Sequence, residues 1–523
     1  MRTIIYSIIF ASMIMPLTGC NNNDPVLTQK DWNGTTTYFS SVDEKTFGTY
    51  YQPYVGYVGD PMPFFDPVSE EFKIMYLQEF RPNQDFTYHP IWAVSTKDLS
   101  SYTSLGELIP FGTKKEADAA IGTGSTIYNE QDKQYYTFYT GHTADMEIVM
   151  MAASSDFKNW TKNKSLYIRG DEYGYDIKNF RDPFVFKGDD GLFHMIVSTM
   201  KNGKGVLAEF TSSDLLNWNH EGVFMTMMWD RFYECPDIFR MGDWWYLVYS
   251  EKHSSVRKVQ YFKGHTLEEL RETTVNDAGI WPDGHEGFLD SRAFYAGKTA
   301  SNGTDRYIWG WCPTREGNNN TAVGAAPGEP QWAGALVAHK LIQHEDGSLT
   351  LGAVDGILNK YTQKSELKKM SQSETGVSES NGIYTLSDKS YVLFNRLGVH
   401  NKITFTIKAS DNDKFGFSFC RGTDYEKFYS MVINPEDNGN NHKLNFEEEG
   451  GIGFIAGADS YKFETPADGV YNVTICTDNS VCVVYINDVL AYTNRVYGMQ
   501  KNCWSINCYS GTISVSDINL MSY

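Results

Sequence analysis

Short apolar and aromatic stretches, each closed by a turn signal, recur along the chain from about residue 45 to residue 350. Five units can be laid in register. They begin at Asp60 (DPMPFF, then FKIMYLQ), Gly124 (GSTIY, then QYYTFYT), Asp182 (DPFVF, then LFHMIVST), Glu234 (ECPDIF, then WWYLVYSE) and Phe288, which runs through Asp290 to Tyr295 before Tyr307-Ile308-Trp309-Gly310-Trp311. A second series keeps step with the first: Ser95-Thr96-Lys97-Asp98-Leu99, Ser154-Ser155-Asp156-Phe157 and Ser212-Ser213-Asp214-Leu215, each with an aromatic residue three places on. Asp98, Asp156 and Asp214 are 58 residues apart both times. A fixed period of this length in strand-forming sequence predicts propeller blades, because a lone four-stranded sheet cannot bury its faces without neighbours. The three Asp are then turn formers, bonded to their own backbone. The first strand of each unit is expected to line a central channel.

The pattern changes towards the C-terminus. A polar stretch at 352–382 predicts a linker, although Val354, Ile357 and Leu358 within it suggest local packing. Beyond it, alternation such as Lys402-Ile403-Thr404-Phe405-Thr406-Ile407, with turns such as Asn487-Asp488, predicts a β-sandwich over 383–523. The fold expected is therefore all-β: a five-bladed β-propeller at 45–351 followed by the sandwich.

The N-terminus is a separate object. Arg2, an apolar stretch over 4–15 and Leu17-Thr18-Gly19-Cys20 resemble a bacterial lipoprotein signal with its lipobox, followed by a tether at 21–44. The resemblance implies cleavage before Cys20, lipidation of its sulfur and attachment to the cell envelope by acyl chains alone. The seven other cysteines are an odd number without C-x-x-C spacing, so neither a disulfide framework nor a structural metal site is indicated.

Composition narrows the partners. Among 523 residues, 15% are aromatic, and 45 Lys+Arg against 65 Asp+Glu give a net charge of −20. Disorder is excluded by the aromatic content, and phosphate backbones and anionic lipid surfaces are repelled. A neutral polyol or sugar remains a suitable partner.

The repeat register carries the chemistry. Asp60, Asp182 and Glu234 fall at equivalent starts of three inner strands, so blade symmetry predicts three carboxylates at one channel mouth. Like charges gathered in this way cost stability and call for a compensating role. Glycosidic cleavage needs one carboxylic acid to protonate the leaving oxygen and a second carboxylate acting from the opposite side. Asp60 and Glu234 can supply that pair, while Asp182 and the multi-donor Arg181 can hold sugar hydroxyls. Trp92, Trp229, Tyr233, Trp309 and Trp311 offer flat faces for sugar rings, though each taken alone is better read as blade core.

Phe180-Arg181-Asp182-Pro183, Glu234-Cys235-Pro236-Asp237 and the Asp60-Pro61 strand resemble the three acidic motifs of glycoside hydrolase family 32, the invertases, levanases and inulinases. Gln78, Ala93-Val94-Ser95, Trp309-Gly310-Trp311, Trp332-Ala333-Gly334-Ala335-Leu336 and, in the sandwich, Asp478 to Val496 extend the likeness over about residues 40–523. It implies a retaining β-fructosidase with Asp60 as nucleophile, Glu234 as general acid/base and Asp182 as transition-state stabiliser. It further implies substrate contacts from Gln78, Trp92, Thr123, Ser125, Arg181, Asp237 and Trp311, and no metal or cofactor. Three departures fall on groups expected to grip the first sugar. Trp-Met-Asn-Asp-Pro-Asn-Gly is here Tyr57-Val58-Gly59-Asp60-Pro61-Met62-Pro63, Phe-Ser-Gly-Ser is Gly122-Thr123-Gly124-Ser125, and Trp-Gly-His is Pro90-Ile91-Trp92. Two alternatives stay open at this point: another five-bladed glycosidase, acting on arabinan or xylan, and a noncatalytic glycan-binding lipoprotein.

Overall fold

Turn signals between apolar runs produce antiparallel hairpins throughout the computed structural model. It describes residues 28–30, 36–38, 47–80, 88–227, 231–251, 258–272, 287–315, 322–323, 326–327, 330–421, 428–434, 442–449, 461–463, 465–501 and 503–523. Cys20, most of the tether and Trp229 lie outside these residues.

Blade I consists of Tyr57–Asp66, Glu71–Glu79, Ile91–Thr96 and Thr103–Ile109. Blade II consists of Ala120–Asn129, Gln134–His142, Glu147–Ser154 and Thr161–Arg169. Blade III contains Phe180–Lys187, Phe193–Lys201, Lys204–Ser212 and Asn219–Thr226. Blade IV contains Tyr233–Met241, Trp244–Glu251, Val259–Gly264 and the short Phe288–Leu289. Tyr295–Ser301, Arg306–Arg315, Pro330–Gln343 and Leu349–Gly352 make blade V. The first strands touch in the order I, II, III, IV, V and back to I, which closes the ring. Gly334 of blade V also pairs with Val58 of blade I. One boundary differs from the sequence reading. Phe288–Leu289 is not the start of the fifth unit; it pairs with Val259–Gly264 as the outer edge of blade IV, and the inner strand of blade V begins at Tyr295.

The 58-residue repeat marks the turn between the third and fourth strands. Asp98 Oδ1 accepts the N–H groups of Ser100 and Ser101, Asp156 Oδ1 those of Lys158 and Asn159, and Asp214 Oδ1 those of Leu216 and Asn217. Leu99, Phe157 and Leu215 follow at φ 59°, 60° and 65°. Backbone donors stabilise the anion, and Asp214 is lowered to about 2 by those of Asn217 and Leu216.

The C-terminal region forms two antiparallel sheets enclosing Phe405, Phe417, Trp504 and Ile506. Val481–Ile486 explains its own sequence, VCVVYI. Cys482, Val484 and Ile486 enter the sandwich core, while Val481, Val483 and Tyr485 join an apolar cluster shared with the propeller. A strand covered on both faces is a continuous apolar run instead of an alternation. The stretch expected as a linker contributes to the sandwich: Gln363–Lys364 pairs with the last strand, Lys369–Gln372 with Ser390–Arg396, and Val377–Ser380 with Ile383–Ser387.

Polar contacts fasten the two parts. Asp478 Oδ2 accepts the N–H groups of Gly48, Thr49 and Tyr50 at 3.0, 2.5 and 2.8 Å. Arg495 donates to the carbonyls of Pro313 and Cys312, and buried His339 meets Asp290 Oδ2 at 2.9 Å and the Tyr485 hydroxyl at 2.9 Å.

Candidate active site

All five inner strands are bulged at the same height. The ladder slips between Gly59 and Met62, Gly122 and Gly124, Arg181 and Phe184, Glu234 and Asp237, and Tyr295 and Lys298. Pro61, Pro183 and Pro236 sit in three of these bulges, where no ladder N–H is needed. Asp182, Cys235 and Ala296 take left-handed φ values of 58°, 51° and 54° there. The register corrects the sequence reading by one residue. Asp60 and Asp182 lie within their bulges, at the place Cys235 and Ala296 hold, whereas Glu234 is the last paired residue before its bulge, facing Ser250. Its equivalents are Gly59, Arg181 and Tyr295. The offset puts Glu234 level with two of its hydrogen-bond donors.

The three carboxylates line one cavity of about 650 Å³ at the channel mouth. Asp60 Oδ1 accepts from Trp311 Nε1 at 2.9 Å. Glu234 Oε1 accepts from Arg181 Nη2 at 3.0 Å, and its Oε2 from the Tyr295 hydroxyl at 2.6 Å. Asp182 Oδ2 accepts from the Cys235 N–H at 2.8 Å, and its own N–H donates to Thr140 Oγ1 at 2.9 Å. Burial together with the Asp182 charge raises Asp60 to about 6, against the pull of the Trp311 donor. Asp182 is raised by burial and by Glu234, with Arg181 opposing. His142, also in the cavity wall, is lowered to about 4 by burial and by the neighbouring His89 and Arg181, so it is a neutral donor and acceptor above that pH.

Of the other residues expected to bind substrate, Arg181, Thr123 and Trp311 line the cavity. The remainder do not. Gln78 is fully buried and donates to the Val55 carbonyl at 2.7 Å. Trp92 packs in the apolar cluster shared by blades I, IV and V and the sandwich, edge-on to Phe80. Ser125 Oγ donates to the Pro183 carbonyl and accepts from the Val185 N–H, stitching blade II to blade III. Asp237 accepts the Thr299 N–H at 2.5 Å and stitches blade IV to blade V. Tyr233 and Trp309 are core residues, as each was better read alone.

Several cavity residues escaped the sequence reading. His142 ends the second strand of blade II, Glu147 opens the third, and His89 lies two residues before the third strand of blade I, all at places where no repeat marks them. Tyr295 and Trp332 were visible, Tyr295 at the head of an aromatic strand and Trp332 within Trp332-Ala333-Gly334. The register of Tyr295 with Glu234 was the available clue. Trp332 stacks on His89 at 4.4 Å and presses on Gly59, where an added Cβ would lie 2.2 Å from the indole ring. The glycine that stands where the family motif has Asn beside Asp60 thus packs directly against an aromatic ring, with no room for a larger side chain.

The sequence model of the glycosyl hydrolases family 32 N-terminal domain matches residues 50–352, and that of the GH32, BT1760-like, C-terminal domain matches residues 347–520. The chain belongs to glycoside hydrolase family 32. Among family 32 relatives, the sucrose-6-phosphate hydrolase of Vibrio alginolyticus is 23% identical over 313 residues, 58% of this chain and 59% of that protein. The fructan 1-exohydrolase of Triticum urartu is 28% identical over 300 residues, 50% of this chain and 47% of that protein. The match thus spans less than two thirds of these relatives. The crystal structure of fructan 1-exohydrolase IIa from Cichorium intybus superimposes with a TM-score of 0.71 at 16% identity, over 92% of this chain and 98% of that one. The family architecture of propeller plus sandwich therefore extends to this chain.

Proposed function

We propose that the protein hydrolyses β-fructosides by a retaining double displacement. The observation that carries this is the convergence of Asp60, Asp182 and Glu234 on one cavity from three inner strands of a family 32 propeller. Asp60 attacks the anomeric carbon while protonated Glu234 gives its proton to the departing glycosidic oxygen. Water, deprotonated by Glu234, then attacks the glycosyl ester, breaks its bond to the Asp60 oxygen and releases the sugar. The Trp311 N–H orients Asp60 for attack, and Arg181 with Tyr295 fixes Glu234. Asp182, anchored by the Cys235 N–H, is placed to bind ring hydroxyls more tightly as oxocarbenium character develops. Relatives named for sucrose-6-phosphate and fructan hydrolysis support a fructoside as substrate. The Trp332 ring beside Gly59 favours a sugar presenting an apolar face on that side. Lipidation at Cys20 would hold the enzyme at the cell envelope.

Product analysis after incubation with sucrose, inulin, levan and arabinan tests the proposal. Fructose or fructo-oligosaccharide with retained anomeric configuration is expected from at least one fructoside, and none from the Asp60→Asn or Glu234→Gln variants. Release of arabinose alone would move the protein to another sugar, and inversion would remove Asp60 as nucleophile.

A further inference from the structure

Glu147 stands outside the register that gathers the three acids, yet it shares their most important cation. It opens the third strand of blade II, and its Oε2 accepts from the Phe180 N–H at 3.0 Å and from Arg181 Nη1 at 3.1 Å. The other end of the same guanidinium donates to Glu234 Oε1 at 3.0 Å. Side-chain exposures of 19% for Glu147, 15% for Arg181 and 17% for Glu234 place all three largely out of water. The guanidinium is fixed besides, lying 4.1 Å over the Phe232 ring and reaching Asn179 Oδ1 at 3.3 Å. One immobile cation therefore serves two carboxylates where screening is weak.

An undivided Arg181 charge would hold Glu234 ionised, which is the wrong state for a group that must deliver a proton. We infer that Glu147 is a positioning residue that divides the Arg181 charge and adds its own, so that Glu234 keeps its proton to higher pH. The inference rests on reading Glu234 as the acid/base. The other titratable groups lining the cavity with Glu147, Arg181 and Glu234 are Asp60 and His89 from blade I, His142 from blade II, Lys178 and Asp182 from blade III and its approach, Cys235 from blade IV, and Arg292 and Tyr295 from blade V and its approach. Directions agree with the geometry: burial lowers Arg181 but the Glu147 and Glu234 charges raise it well above the ordinary guanidinium range, and burial raises Glu147 while Arg181 opposes. Asp60 takes its shift from burial, Asp182 and Glu234, so the acid limb of activity is expected to be insensitive to Glu147.

Glu147→Gln tests this, because the amide oxygen still accepts from Phe180 and Arg181 while the charge is gone. The basic limb of kcat/KM against pH is expected to move down by about one pH unit, a tenfold change in proton affinity, with the acid limb in place. Tyr295→Phe removes a donor to Glu234 and is expected to move the same limb up. A second measurement does not need turnover. The pH window over which Glu234→Gln changes the melting temperature is compared in the otherwise native protein and in the Glu147→Gln protein, and is expected at lower pH in the latter. Uniform loss of activity with both limbs and the window unmoved would overturn the inference and leave Glu147 a structural residue. A moved window in a protein that cleaves no fructoside would sustain the charge sharing and count against the functional proposal instead.

Discussion

Replacing Asp60 with Asn is expected to abolish turnover and, at the same time, to stabilise the protein in a pH-dependent way. Burial and the Asp182 charge raise the Asp60 carboxyl from 3.8 to about 6 in the folded protein. The folded state therefore holds this proton more tightly than the unfolded chain does. Ionisation of Asp60 costs nothing below pH 3.8; the cost grows between pH 3.8 and 6 and is complete above. A shift of about 2 units corresponds to about 3 kcal/mol. The amide oxygen of Asn can keep the Trp311 donor, so the substitution removes the charge without orphaning the indole N–H. At about 2.1 cal/mol/K per residue, unfolding 523 residues as one unit carries an entropy of about 1 kcal/mol/K, which turns this gain into a rise of about 3 °C. Scanning calorimetry of the wild type and Asp60→Asn at pH 3.5 and pH 8 reads it directly: a difference near zero at the lower pH and about 3 °C at the higher. A variant that is equally displaced at both pH values, or less stable than the wild type at pH 8, would refute the electrostatic account of this site.

The same shift predicts that kcat/KM of the wild type falls as pH drops through about 6, because the nucleophile must be ionised; a limb centred near 4 in the pH profile would show that Asp60 is not the group being read. Gly59→Ala puts a Cβ 2.2 Å from the rigid Trp332 ring, so a loss of about 1–3 kcal/mol in chemical denaturation and a raised KM are expected. Asp478→Ala strips the acceptor from three backbone N–H groups at the junction of propeller and sandwich and should cost on the order of 3 kcal/mol or more, measured by urea unfolding. Removal of residues 360–523 uncovers the apolar cluster that Val481, Val483, Tyr485 and Ala491 complete, and aggregation on gel filtration is expected; a soluble, active fragment would show that the sandwich is dispensable for folding.

Sequence alone carried the repeat and the acids. Local signals were sufficient for that: turn chemistry at Asp98, Asp156 and Asp214 works within four residues, and the alternation of Lys402 to Ile407 reflects one buried face. The family resemblance rested on the same contiguous motifs and so reached Asp60, Asp182 and Glu234. What the motifs did not hold was height and depth. Asp60 and Asp182 stand one residue before their prolines and Glu234 two before its own, so with the same bulge in each strand Glu234 falls level with Arg181 and its side chain leaves the ladder one position earlier. Gln78, Trp92, Ser125 and Asp237 belong to conspicuous motifs, yet packing between blades turns them inward, where they meet backbone groups or core instead of the cavity. Glu147 opens the third strand of blade II, at the opposite end from its Ser154-Ser155-Asp156 turn, where no repeat marks it, and it enters the site because blade II packs beside the Arg181 of blade III. The strands at 363–380 looked like linker because they are mostly exposed at sheet edges, so their polar sequence carries no burial pattern; pairing with strands that include the last in the chain makes them part of the sandwich. Periodicity reports which residues are covered, while the partner that covers them is decided only when distant strands meet.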